Sequence, residues 1–150
     1  MNTYRYLYLI ICGLVILFAG CKKIDEVPYT NAPSIAFVSA TPTNAKEYKD
    51  IITFVVSYKD HDGDLGENDP NVTNVFVTDK RNGVKYEFRV KQLAPDKTTS
   101  IAIAGNLDIE LPATDITDGS SSQSATFEIY LKDRAGNVSN TITTTAVKIV

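Results

Sequence analysis

Residues 84–91 read VKYEFRVK. Val84, Tyr86, Phe88 and Val90 alternate with Lys85, Glu87, Arg89 and Lys91. A period of two with one apolar and one charged face predicts a β-strand that is wet on one side. Arg81-Asn82-Gly83 precedes it. Asn-Gly accepts the positive φ angles of a tight hairpin turn, so residues 72–78 are its expected partner strand.

The same pattern recurs outward in both directions. In 50–59, DIITFVVSYK, the residues Ile52, Phe54, Val56 and Tyr58 share a face. Leu107, Ile109 and Leu111 alternate with Asp108 and Glu110. Phe127, Ile129 and Leu131 alternate with Thr126, Glu128, Tyr130 and Lys132. Further strands are expected at 34–39 and 141–149, and no stretch here carries a helical stripe. Ala135-Gly136-Asn137 separates the last two strands, and Asp118–Ser124, DGSSSQS, reads as a mobile small-residue loop. Strands at this spacing predict an all-β fold, a seven-strand antiparallel β-sandwich over residues 34–150. A small barrel is the other arrangement the pattern allows.

Upstream, residues 7–21 read LYLIICGLVILFAGC. Arg5 is the only charge before this apolar run, and Lys22-Lys23 end it. The run has the ~7–15 residue length of a signal-peptide core. It is shorter than the ~20 apolar residues a spanning helix needs. Ala19-Gly20-Cys21 at its end resembles the cleavage site of a bacterial lipoprotein. That resemblance implies a signal peptide over 1–20 and a lipid attached to Cys21. One acyl chain holds a protein only marginally on a bilayer, and lipoprotein cysteines carry several. The implied location is the cell envelope, on the outer membrane, with either the periplasmic or the cell-surface face open to the domain. Residues 21–33 then hold the lipidated cysteine and a tether. The tether, KKIDEVPYTNAP, is polar, has Pro28 and Pro33, and lacks periodicity. Extended, it would reach about 40 Å at ~3.3 Å per residue.

Cys12 and Cys21 are the only cysteines, so the domain has neither a free thiol nor a disulfide. An exported domain of this kind must draw its stability from its core or from a metal. Loss of Arg5 with the leader leaves 14 basic against 18 acidic residues, a charge of −4. Nothing resembles the clustered basic face of a nucleic-acid binder, so no nucleic-acid partner is expected.

Two segments, YKDHDGDLG at 58–66 and YLKDRAGNVSN at 130–140, resemble parts of immunoglobulin-like and cadherin-like modules in bacterial surface lipoproteins. The resemblance spans residues 34–150. It implies an immunoglobulin-like sandwich serving binding, adhesion or spacing, and says little about the ligand, because this fold hosts many activities.

Residues 60–69 read DHDGDLGEND, five acids with no Lys or Arg among them. Charges this close repel one another, and a hard divalent cation relieves them. Calcium takes ~6–8 oxygen ligands, which alternating aspartates and glycines can supply by wrapping. The candidate ligands are Asp60, Asp62, Asp64, Glu67 and Asp69, with a structural calcium as the expected cofactor. The loop is not an EF-hand. Counting from Asp60, Leu65 stands where Gly is required, Asn71 stands where a bidentate Glu is required, and no helices flank it. The plainer reading is a solvated acidic turn. In an immunoglobulin-type sandwich the loop after the second strand meets the loop before the last strand. Asp133 of DRAGN could therefore complete the shell, close to where the tether enters.

Catalysis finds little support. His61 is the single histidine, and no Ser sits in a nucleophile-elbow pattern. Zinc would need more nitrogen or sulfur ligands than the chain owns. The expected function is therefore a non-enzymatic module with a protein partner. A glycan-binding protein of a surface uptake system is the alternative, although the chain has no Trp to serve as a platform.

Overall fold

The computed structural model describes residues 30–95, 100–112 and 114–150. The leader, Cys21 and the tether before Thr30 lie outside the described residues.

The period-two runs form strands because each alternation gives one row of side chains to a common core. In chain order they are β1 (Ser34–Thr41), β2 (Asn44–Ala45), β3 (Ile52–Asp60), β4 (Val75–Asp79) and β5 (Lys85–Phe88). Then follow β6 (Ile103–Leu111), β7 (Gln123–Ala125), β8 (Phe127–Leu131), β9 (Ile142–Thr143) and β10 (Val147–Ile149). Among the described residues there is no helix. One sheet has the order β1-β3-β6, a second β5-β4-β8-β9, and a third β2-β10-β7. All pairings are antiparallel except β2 with β10.

Ten strands in three sheets replace the expected seven in two. Two of the three extra strands come from one hairpin, and the third is β2, which joins β10 in parallel. Thr126 alone separates β7 from β8, and pairing across the hairpin slips by one residue between Ala125↔Val147 and Glu128↔Thr143. Thr144 fills the slip. Its amide donates to the Phe127 carbonyl at 2.9 Å, and its hydroxyl accepts the Phe127 amide at 3.1 Å. The expected last strand, 141–149, is therefore two short ones. The expected mobile loop ends earlier than its composition suggests, because Gln123 and Ser124 pair with Ile149 and Lys148.

The apolar rows meet in a single core, consistent with a β-sandwich. Ile52, Phe54 and Val56 of β3 and Ile109 and Leu111 of β6 are buried, as are Val75, Val77, Phe127, Ile129 and Leu131 of the second sheet. Phe54 packs on Phe127 across the sheets, with ring centroids 5.1 Å apart and tilted by 53°. Such tilted pairs add roughly 0.5–1.5 kcal/mol beyond their area.

Two asparagine side chains stand in for missing strand neighbours. Asn140 accepts the Ile35 amide at 2.8 Å and donates to the Ile35 carbonyl at 2.9 Å, on the outer edge of β1. Asn74 does the same for Val90, at 2.8 and 2.9 Å, just beyond the paired part of β5. Each primary amide copies the donor and acceptor of a peptide group.

Candidate metal centre

β3 carries the chain to Asp60, whose partner Ile103 is the last pair of the β3–β6 ladder. Asp60 is 1 % exposed. Its Oδ2 accepts the Leu65 amide at 2.9 Å, closing the loop on itself. Leu65 is fully buried in the core. The position that breaks the EF-hand pattern is thus the apolar plug that pins the loop. Gly63 and Gly66 are buried as well. The segment is therefore packed into the protein, which sets it apart from a solvated turn.

The two glycines are needed for that packing. Gly63 has φ +74° and Gly66 φ +90°. A Cβ at Gly63 would land on the Ile101 carbonyl oxygen; one at Gly66 would strike the Lys91 carbonyl and come within 2.8 Å of Gln92 Cα. Gly63→Ala is therefore expected to lower folding stability by about 1–3 kcal/mol through strain and overlap. Urea unfolding checks this, and an unchanged midpoint would show that the loop is looser than described.

Asp60, Asp62 and Asp64 each present one carboxylate oxygen, all within 4.8 Å of one another. The Oδ1 atoms of all three are buried without a hydrogen-bond partner. Buried carboxylate oxygens are normally satisfied, and a group of three aspartates with three unpartnered oxygens could hold a cation. An all-oxygen, all-anionic donor set suits a hard divalent ion.

Electrostatics agree with the geometry. Burial pushes the Asp60 carboxyl from its ordinary 3.8 up to about 6. The adjacent Asp62 carboxylate and the charge of Asp64 add to the rise, against the Leu65 amide. Burial also raises Asp64, helped by the charge of Asp133 and opposed by the Ala135 amide. The folded cation-free protein thus holds the Asp60 proton more tightly than the unfolded chain does. That contribution to stability is present near pH 4 and is lost as pH rises through about 6. With a cation bound, the carboxylates stay ionised and acid expels the ion. Melting temperature between pH 4 and 7 is therefore expected to fall with pH in cation-free buffer and to rise with pH in calcium. Parallel slopes in the two buffers would contradict the site.

The other acids expected from sequence do not join the group. Glu67 Oε1 accepts the amides of Asn68 and Asp69 at 2.6 and 3.0 Å. Asp69 Oδ1 accepts the amide and side chain of Asn71 at 2.9 and 3.0 Å. Both brace their own turn. Asp133 is buried beside Asp64, but its Oδ1 and Oδ2 hold the amide and side chain of Asn137 at 2.7 and 2.8 Å. It borders the group, close enough for its charge to act on Asp64. His61 is exposed on the same loop.

The two loops do meet at one end of the fold. Asp64 Oδ2 accepts the Ala135 amide at 3.0 Å, and the Asp64 carbonyl accepts the Arg134 amide at 3.2 Å. Arg134 Nη1 donates to the Gly66 carbonyl at 2.9 Å. β1 begins here too, since Ser34 pairs with Lys59, next to Asp60.

A second charged cluster lay unrecognised in the turn after β4. Asp79 is fully buried, and Arg81 grips both of its oxygens through Nε and Nη2 at 2.6–3.1 Å. Arg81 also donates to the Asp115 carbonyl, Gln123 Oε1 and Thr114 Oγ1 at 2.7–2.9 Å. Asp79 sits on the inward face of β4, where the alternation calls for an apolar residue. That break in the pattern was the available signal. Every strong donor of the cluster is spent on structure, so it is a clasp rather than a reactive centre.

No protein-family model, curated protein or solved structure matches this chain. The reading of the site rests on its geometry.

Proposed function

We propose that this chain is a lipid-anchored protein of the cell envelope, held by Cys21 on the outer membrane. Its domain, of immunoglobulin-like build, is stiffened by calcium and serves as a non-enzymatic binding, adhesion or spacer module. The observation that carries the reading is the trio of unpartnered buried oxygens of Asp60, Asp62 and Asp64, beside the residue that pairs with the start of β1. A cation there would fix the incoming chain against two loops and set the angle at which the domain stands on its tether. Calcium suits the site better than magnesium, because an irregular set of loop carboxylates fits its flexible shell and not a strict octahedron. The strand orders β1-β3-β6 and β5-β4-β8-β9 support the immunoglobulin-like build.

A protein partner is preferred over a glycan. The half-buried aromatic pair on the outer face of the second sheet, Phe76 and Tyr130, stacks on itself at 4.7 Å and 13°. Each ring covers one face of the other, which reduces the open aromatic surface that a sugar ring would stack on.

Cell fractionation and the intact mass of the mature protein test the anchor. The expected protein begins at Cys21, carries acyl chains and is recovered with membranes. Protease treatment of whole cells should remove the domain if it faces outward. A retained leader or an unmodified Cys21 would overturn the anchor.

A further inference from the structure

β6 lies at the rim of its sheet, and among the described residues no strand pairs with its other side. Its nine residues keep one unbroken register with β3, from Ile103↔Asp60 to Leu111↔Ile52. Roughly half of its peptide groups therefore turn away from β3, toward the rim. Proteins blunt such rims by shortness, a bulge, Pro or Lys. The other rims have one of these devices. β1 bulges between Phe37 and Ser39, β5 has four residues and β9 two, and β2 and β7 have two and three. β6 has no bulge, no Pro and no Lys. Ala104, Gly105 and Asn106 are exposed in succession, so the strand is open on both faces there.

The side chains set the chemistry of a partner. Leu107, Ile109 and Leu111 are buried on the inward face, and Asp108 and Glu110 are exposed on the outward one. Val55 and Thr53 stand opposite those two acids on β3. Neither acid has a basic group within 4.0 Å among the described residues. The one base of the β3–β6 ladder, Lys59, stands at its other end, opposite Ala104. A strand added at the rim would set alternate side chains beside the apolar row and the others beside Asp108 and Glu110. Opposite charges pair favourably across strands, and like charges directly opposite destabilise. A strand that alternates apolar and basic residues satisfies both rows.

We propose that the rim of β6 binds an extended peptide segment of a partner protein by strand addition, with Lys or Arg of that segment beside Asp108 and Glu110. The inference goes beyond the binding-module reading by naming a partner class. It does not depend on the cation group, which lies past the Asp60 end of the ladder.

Fluorescence anisotropy of the whole protein with a labelled heptapeptide of alternating lysine and valine tests it, beside a glutamate–valine counterpart. The basic peptide is expected to bind, and the acidic one about tenfold more weakly or not at all. Asp108→Lys with Glu110→Lys should weaken the basic peptide about tenfold and keep the circular dichroism spectrum and melting temperature of the parent. N-methylation separates a paired strand from loose attraction to an acidic protein. Alternate amides of a strand point to opposite sides, so of two peptides, methylated on the lysine or on the valine amides, one should lose binding. Amide hydrogen exchange should show that the peptide protects residues 103–111. No binding of the basic peptide overturns the proposal. Binding that survives both methylations, that is unchanged in the double variant, or that protects other strands and not β6 also overturns it. Protection of 103–111 that rises with protein concentration, without peptide, would assign the rim to a second copy and overturn it too. Each of these results leaves the calcium melting shift and the lipid anchor standing on their own tests.

Discussion

Replacing Arg81 by alanine is expected to cost about 3–5 kcal/mol of folding stability, the usual penalty for breaking a buried ion pair from one side. Asp79 is fully buried and Arg81 nearly so, with 8 % of its side chain exposed. Removal of the guanidinium leaves a carboxylate with no water and no counter-charge. It also strips donors from the Asp115 carbonyl, Gln123 and Thr114. A loss of this size is a large share of the ~5–15 kcal/mol that holds a domain together. Urea unfolding monitored by circular dichroism reads it directly. The double variant Asp79→Leu, Arg81→Met should recover much of the loss, because apolar replacement of a whole buried pair is often neutral. A single-variant effect below about 1 kcal/mol would mean that water reaches the pair and that the clasp is weak.

Calcium is expected to have the second large effect. A cation that binds only the folded protein adds about 2.7 kcal/mol at a hundredfold excess over its dissociation constant. Calcium added to cation-free protein should raise the melting temperature by several degrees, and magnesium should raise it less. Asp60→Asn should abolish the shift. The asparagine oxygen can still accept the Leu65 amide, so the loop keeps its closure. In cation-free buffer the same variant should be as stable as the parent or more so, since one buried charge has gone from a group of three. A melting temperature indifferent to calcium and chelator would leave the three buried oxygens without a cation to explain them.

Much of the fold was legible as alternation, and the departures have local causes. Residues 84–91 read as one long strand, yet only Lys85–Phe88 pair. β5 lies at a sheet edge, Val84 is exposed, and beyond Phe88 the Asn74 side chain takes over the pairing at Val90. β6 begins at Ile103, four residues before the pattern shows it. Ala104, Gly105 and Asn106 have little strand preference of their own, and their pairing with β3 recruits them. Of the acids proposed for the metal, Asp60, Asp62 and Asp64 converge and Glu67, Asp69 and Asp133 do not. Composition shows how much charge a loop carries. It does not show which carboxylates spend their oxygens on nearby amides, a matter of backbone direction at each turn. The Asp79–Arg81 clasp was hidden because the Asn-Gly turn beside it accounted for the same residues.

The side chain of Asn140 has a consequence for crowding. A strand at the rim of a sheet is sticky along its whole length, because its peptide groups await partners. Where many copies stand side by side in two dimensions, each rim meets its neighbours far more often than it would in dilute solution. By filling the Ile35 position, Asn140 interrupts the template near its start, and a passing strand cannot zip along β1 from that end. One side-chain amide thus blocks edge-to-edge pairing at the start of β1.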